Sequence, residues 1–150
     1  MPQHRTTVDV PLRWGDMDAY QHVNNAQYLR YLEEGRIQAF QEWFGDVQGL
    51  LEEGLLVART EIDYLVPMLY GPDPARLTLW CSRISGADFD LAYVVGRAGS
   101  DVVHARAEVT MVTFDLREQR PRRLQPHERE ALARVLGDPV PLRSHRRGRR

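Results

Sequence analysis

The sequence lacks lysine altogether and has a single cysteine, Cys81, among 150 residues. One cysteine cannot form a disulfide within the chain, which is typical of proteins from a reducing compartment. Because Cys81 lies in an apolar, strand-like run, we expect it to be a buried core residue. No apolar stretch approaches the roughly 18 residues of a membrane span, and the first residues show no apolar signal-peptide core. We therefore expect a cytoplasmic protein with no membrane partner.

Positive charge is unevenly distributed and is densest at the C-terminus. All 20 basic residues are arginine, and five of them fall in residues 143–150. Since the whole chain carries −1, the remainder is acidic and has no basic stripe, which argues against a nucleic-acid partner. The arginine-rich end could contact phosphate groups, although a solvated tail is the simpler interpretation. We predict one folded domain over residues 1–138 and a flexible, Arg-rich tail over residues 139–150.

Apolar periodicity predicts the secondary structure. Alternation of apolar and polar residues predicts five strands: Thr6–Arg13, Leu56–Val66, Arg76–Ile84, Phe89–Arg97 and Val102–Asp115. Apolar residues three and four apart predict a long helix over Ala26–Phe44 and a short one over Pro126–Leu136. Short connections imply antiparallel strands. The sequence therefore predicts an α+β fold, in which a five-stranded antiparallel sheet curls around one long central helix.

The polar connection before the long helix carries the candidate chemistry. It contains Asp16, Asp18 and His22, and it ends in Asn24 and Asn25, either of which could cap the helix. A helix N-terminus has free backbone N–H groups and favours negative charge. It can therefore stabilise a carbonyl oxygen while a nearby carboxylate attacks the carbonyl carbon or activates water. The alternative is purely local, because Asp and Asn also crowd turns, and for Asp16 we favour this structural role.

The same residues do not suggest a metal centre. Asp16 and Asp18 lack the glycine and the distal glutamate of a calcium loop, and we find no other set of metal ligands in the sequence. We expect neither a metal nor a cofactor.

Three blocks of sequence resemble a known family. Residues Trp14–Asp18 and His22–Arg36, then Val57–Pro67, then Ser82–Ile84, are similar to the signature of the 4-hydroxybenzoyl-CoA thioesterase-like hotdog family. The resemblance covers about Thr7 to Leu116 and leaves out the arginine-rich tail. It implies the hotdog fold, an acyl-CoA substrate, and a homodimer or homotetramer with the active site at the subunit interface.

The resemblance also implies roles for particular residues. Asp18 corresponds to the catalytic carboxylate, as nucleophile or general base, and the backbone N–H of Asn25 corresponds to the group that polarises the thioester carbonyl. His22 is a further candidate catalytic residue. Gln21 stands where many members of the family have glycine.

Substrate contacts are predicted at Tyr20 and Asn24, and at Arg83, which could bind CoA phosphates. An ion pair with a carboxylate is the alternative interpretation of Arg83. The expected function is hydrolysis of an acyl-CoA thioester to the free acid and CoA. Three alternatives stay open at this point: an acyl-carrier-protein thioesterase, an enoyl-thioester hydratase on the same fold, and a non-catalytic acyl-CoA-binding protein.

Overall fold

One long helix lies against one face of an antiparallel sheet in the computed structural model, which describes residues 4–45 and 54–147. The strands are β1 (Thr6–Val10), β2 (Leu55–Tyr64), β3 (Ala75–Ile84), β4 (Asp88–Arg97), β5 (Ala105–Asp115) and β6 (Arg120–Pro121). The helices are α1 (Asn25–Phe44), α2 (Pro126–Arg134) and α3 (Arg143–Arg147), with a 3₁₀ turn at Trp14–Asp16. No helix in these described ranges is both long and apolar enough to cross a membrane.

The sheet has the strand order β1-β3-β4-β5-β2, and every pair of neighbours is antiparallel. The two-residue strand β6 pairs with β5 outside this path and is the sixth strand, which the sequence did not predict. The α+β architecture is confirmed. Among the described residues β2 pairs with β5 alone, so its other side is an open edge of the sheet as described.

Helix α1 packs its apolar face onto the sheet at close range. The buried positions of the helix are Tyr28, Tyr31, Leu32, Gly35, Ala39, Phe40 and Trp43. A Cβ atom built on Gly35 would lie 2.8 Å from Leu77 Cδ2, so a larger residue here would require the Leu77 side chain to shift. The buried face is narrower than the periodicity predicted, because Leu29 and Ile37 are 51% and 42% exposed.

Both ends of α1 follow from the residues that flank it. The side chain of Asn24 accepts a hydrogen bond from the backbone N–H of Ala26 at 3.0 Å, which confirms the predicted cap. Gly45 ends the helix with φ +75°, the left-handed conformation that glycine adopts at little cost. The helix therefore begins one residue before its predicted start and ends where it was predicted to end.

Several predicted boundaries were wrong by a few residues. The predicted strand Thr6–Arg13 stops at Val10, because Pro11 has no N–H to donate to the sheet. The last strand begins at Ala105 rather than Val102. The second helix ends at Arg134, two residues before its predicted end.

The C-terminal segment crosses the outer face of the sheet. Val140 and Leu142 are buried against Trp80 and Ala92, in a small cluster apart from the main core. The predicted division at residue 138 therefore separates residues that pack together. Helix α3 covers part of the predicted arginine-rich tail, and residues 148–150 lie outside the described residues.

Candidate active site

A polar loop fixed by Asp16 leads into α1. Asp16 is only 3% exposed, and its Oδ2 accepts hydrogen bonds from the Arg13 N–H at 2.9 Å and the Tyr31 O–H at 2.8 Å. Arg30, which directly precedes Tyr31 in α1, also donates to Oδ2. Burial alone would raise the pKa of Asp16, but these donors and the Arg30 charge lower it below its ordinary value. Asp16 thus joins the loop to the helix, as its predicted structural role requires.

Asp18 lies exposed in a tight turn and uses one carboxylate oxygen to hold that turn. Its Oδ1 accepts hydrogen bonds from the backbone N–H groups of Tyr20 at 2.9 Å and His22 at 3.3 Å. Its own N–H donates to the His22 carbonyl at 2.8 Å. Within residues 4–45 and 54–147, no hydrogen-bond donor reaches Oδ2. That oxygen is available for a substrate or a water.

The N-terminus of α1 presents a free amide beside this turn. The Asn24 side chain caps the Ala26 N–H, whereas the Asn25 N–H has no acceptor among the described residues. The Asn25 carbonyl accepts a hydrogen bond from the Tyr64 hydroxyl at 3.1 Å, which ties the helix start to the end of β2. A donor so placed, at the positive end of a 20-residue helix, can stabilise a developing oxyanion.

These groups share one cavity of about 160 Å³. Its walls are formed by the turn, the start of α1 and the end of β2, and the lining residues are Asp18, His22, Val23, Asn25, Tyr28, Tyr64, Leu65, Val66 and Pro67. The structure thus brings together the carboxylate, the imidazole and the helix-terminal amide that the sequence predicted as neighbours. Small-molecule sites typically enclose roughly 300–1,000 Å³, so this cavity is smaller than a typical one.

The remaining predicted substrate contacts lie outside this cavity. Tyr20 is 80% exposed, and its ring lies 6.5 Å from that of His22. The Asn24 side-chain oxygen is occupied as the helix cap. Arg83, on β3, pairs with Asp88 at 2.8 Å and with Asp90 at 2.7 Å, which favours its interpretation as an ion pair.

Two tyrosines in the cavity were not predicted as site residues. Tyr28 and Tyr64 meet edge to face, with ring centroids 5.2 Å apart. Burial, together with the neighbouring Tyr64, raises the pKa of Tyr28 to about 12. Burial also raises the pKa of Tyr64, so both hydroxyls stay protonated at neutral pH. Tyr64 lies in the second block of the resemblance, Val57–Pro67, and that block could have identified it as a candidate site residue.

Gln21 holds the turn in an unusual conformation. Its φ is +64°, in the left-handed region that side chains other than glycine adopt at a cost. Its carbonyl accepts a hydrogen bond from the Tyr70 N–H at 3.3 Å, which keeps the turn against the segment after β2. The conformation explains why glycine suits this position in the family that the sequence resembles.

A larger cavity of about 570 Å³ lies elsewhere, on the outer face of the sheet under the C-terminal segment. Its carboxylate, Glu108, accepts from Arg59 at 3.0 Å and lies 3.9 Å from His145 Nε2. The acid in this cavity is therefore already paired with basic groups, and the free carboxylate oxygen and amide of the smaller cavity make that one the better candidate.

The described residues contain neither a metal-binding cluster nor an exposed thiol. The described residues contain no group of three or more His, Cys, Asp or Glu side chains that could hold a metal ion. Cys81 is fully buried, as predicted, and burial raises the pKa of its thiol to about 11. At neutral pH it is a protonated core residue.

Sequence comparisons find similarity to thioesterases. A sequence model of the thioesterase-like superfamily matches residues 12–133. The long-chain acyl-CoA thioesterase FadM of Escherichia coli (strain K12) is 29% identical over 129 residues, which cover 85% of this chain and 96% of that protein.

Solved structures show the same fold. A thioesterase from Thermus thermophilus, complexed with coenzyme A and Zn, is 31% identical; the match covers 91% of this chain and 96% of that one, with a TM-score of 0.73. A 1,4-dihydroxy-2-naphthoyl-CoA thioesterase from Synechocystis is 20% identical, covers 87% of this chain and 96% of its own, and has a TM-score of 0.77, which supports the fold alone. The predicted hotdog fold is confirmed, and the chain belongs to the thioesterase-like superfamily.

Proposed function

We propose that the protein is an acyl-CoA thioesterase that hydrolyses its substrate to the free acid and CoA. The observation that carries this proposal is the shared cavity, in which the Asp18 carboxylate lies beside the free N–H of Asn25 at the start of α1. The relatives support the same reaction, since FadM is named for long-chain acyl-CoA and the Thermus thioesterase was solved with coenzyme A.

The Asn25 N–H and the Asp18 carboxylate have different roles in thioester hydrolysis. The Asn25 N–H donates to the carbonyl oxygen, which becomes negative as the carbonyl carbon is attacked. Asp18 acts in one of two ways: its Oδ2 removes a proton from the attacking water, or it attacks the carbon itself and the mixed anhydride is then hydrolysed. In both routes the C–S bond breaks, the sulfur leaves as thiolate and takes a proton, and water supplies the oxygen of the product acid.

His22 is the second candidate group at this centre. Its backbone closes the Asp18 turn, and its side chain lines the cavity. Within the part of the chain that the structure describes, no hydrogen bond engages its imidazole. We assign it to the substrate-facing wall, where it can contact the thioester or the leaving sulfur.

A second copy of the chain completes the site in this proposal. The cavity is small, and it opens beside β2, whose outer edge has no partner strand among the described residues. Apolar side chains are exposed on β2 at Leu56, Val57 and Tyr64, and just after it at Val66. Pairing of this edge with its copy buries those side chains and removes an edge that would otherwise aggregate. The active unit is therefore a homodimer, alone or within a tetramer of dimers.

The dimer is tested with a matched pair of substitutions. Val57→Asp places a charge on the β2 edge, whereas Val102→Asp places one on a side chain that is equally exposed, at 44%, before β5. Sedimentation should show a dimer for wild type and Val102→Asp, and a larger monomer fraction with lower activity for Val57→Asp. A fully active wild-type monomer would contradict the proposed interface.

The activity is tested with a panel of long, short and aromatic acyl-CoAs and a dye that traps the released thiol. We expect turnover, beginning with long chains because of the relative's substrate. An enoyl-CoA is assayed alongside the panel, and loss of its enoyl absorbance without thiol release would indicate a hydratase instead. Tight acyl-CoA binding without either reaction would contradict the enzymatic proposal. The predicted cytoplasmic location stays a prediction, which the buried free thiol of Cys81 supports.

A further inference from the structure

A second, basic cavity adjoins the candidate active site on the other side of β2. It encloses about 210 Å³ and is lined by Asp63, Leu65, Arg106, Pro141, Leu142, Arg143 and Arg146. Leu65 lines both cavities, and Tyr64, which donates to Asn25 in the first, precedes it directly. The two cavities therefore adjoin at Leu65, just after the end of β2.

The three arginines of this basic cavity differ from several other arginines of the protein. Five guanidinium groups elsewhere are matched by carboxylates: Arg30 with Asp16, Arg59 with Glu108, Arg76 with Asp9, Arg83 with Asp90 and Arg122 with Glu128. Within residues 4–45 and 54–147, no ion pair engages the side chains of Arg106, Arg143 or Arg146.

The one acid in the basic cavity is committed to the backbone. Asp63 Oδ2 accepts the N–H of Arg143 at 2.7 Å, which fixes the first residue of α3 against β2. Arg106 lies opposite Asp63 in the β2–β5 register and is half-buried, yet no ion pair joins the two side chains within the described chain. Three arginines and one carboxylate in the lining of one cavity leave a net positive site, which suits an anion with several phosphate oxygens.

We propose that Arg106, Arg143 and Arg146 bind the phosphate groups at the nucleotide end of coenzyme A. This assignment rests on the proposed function, because it places the thioester end of the same substrate at Asp18 and Asn25. With the thioester at Asp18 and Asn25, the pantetheine arm crosses the strand end at Leu65, and the phosphates reach the basic cavity. In this arrangement the C-terminal segment binds the CoA carrier, and the thioester is hydrolysed in the cavity at the start of α1.

The charge-removing variant is Arg106→Gln/Arg143→Gln/Arg146→Gln, with CoA binding measured by calorimetry. Its matched control is Arg117→Gln/Arg120→Gln/Arg123→Gln, three arginines beyond the far end of β5. We expect the affinity for CoA to fall about tenfold or more in the first variant and to stay at the wild-type value in the control. The double variant Arg143→Gln/Arg146→Gln, which changes exposed positions only, provides the same test if Arg106→Gln impairs folding.

Truncated ligands identify which part of CoA the arginines bind. Wild type should bind CoA more tightly than 4′-phosphopantetheine, and should prefer acyl-CoA over the acyl-pantetheine thioester in kcat/KM. Both preferences should fall about tenfold in the triple variant and weaken with added salt. Equal affinity of wild type for CoA and 4′-phosphopantetheine would overturn the proposal. It would indicate that the protein recognises only the phosphopantetheine arm, as expected for an acyl-carrier-protein substrate.

Binding and hydrolysis separate this proposal from the function it rests on. Wild-type affinity for CoA in the triple variant would overturn the phosphate site, even with hydrolysis intact. Loss of CoA affinity in that variant would support the site even if no acyl-CoA were hydrolysed, in which case the proposed enzymatic function alone would fail.

Discussion

Replacing Asp16 with Asn tests whether the loop before α1 is held by a buried charge. The substitution keeps the shape of the side chain and an oxygen that can accept hydrogen bonds. It removes the negative charge from three donors: the Arg13 N–H, the Tyr31 O–H and the Arg30 guanidinium.

The expected loss is about 2 kcal/mol in the free energy of unfolding. Removing one partner of a buried ion pair costs roughly 3–5 kcal/mol when the other charge is left alone. Arg30 is not left alone, because it also donates to Glu34 at 2.9 Å and Gln27 at 3.1 Å. The cost is therefore set by weakened hydrogen bonds to a residue that is 3% exposed rather than by an isolated buried cation.

The pKa of Asp16 determines how the stability difference between wild type and Asp16→Asn changes with pH. The folded pKa of Asp16 lies below its ordinary value, so the charge contributes stability that is present above the unfolded pKa of about 4 and is lost as pH falls through the folded pKa. The difference between wild type and Asp16→Asn should be full at pH 7. It should shrink as pH falls from about 4 towards the folded pKa, because the carboxyl of the unfolded chain is protonated first and the native carboxyl only at lower pH.

Urea unfolding at one fixed protein concentration, from pH 7 down to pH 3, measures this difference. The control is Asp9→Asn, which removes an exposed carboxylate paired with Arg76 and should cost much less. A wild-type stability for Asp16→Asn at pH 7, or a difference that does not change with pH, would refute the assignment of a buried, charged anchor.

Two further predictions concern Gln21 and Cys81. Because Gln21 has φ +64°, Gln21→Gly should leave the thermal midpoint unchanged or higher, whereas Gln21→Val should lower stability by about 1–2 kcal/mol; equal midpoints for the two variants would argue against a left-handed turn. Since Cys81 is buried and burial raises its pKa to about 11, a thiol reagent should label it only after unfolding; rapid labelling of the native protein with loss of activity would contradict a core position.

Much of the fold was predictable because its elements depend on local patterns. Alternation placed all the long strands, and the Asn24 cap and Gly45 stop placed α1 to within one residue. The errors were also local: Pro11 ended β1 early because it cannot donate to a neighbouring strand. The exposed face of α1 at Leu29 could not be predicted, since periodicity shows which residues are apolar and not how far the sheet reaches.

The site was predictable only in part, because some of its contacts join distant residues. Asp18, His22 and Asn25 lie within eight positions of one another, so their proximity follows from the sequence. Tyr64 reaches the Asn25 carbonyl from 39 residues away, which only the pairing of strands determines. The catalytic roles of these residues stay predictions that kinetics must test.

The most direct test of the central claim is the acyl-CoA hydrolysis rate of Asp18→Asn beside wild type and Asp101→Asn, an exposed carboxylate in the β4–β5 connection. Asn at position 18 can still accept the Tyr20 and His22 N–H groups, so the turn is kept and only the charge is lost. We predict a fall in kcat of at least about 100-fold for Asp18→Asn, with a wild-type thermal midpoint, and a wild-type rate for Asp101→Asn. A folded Asp18→Asn protein with the wild-type kcat would contradict the account.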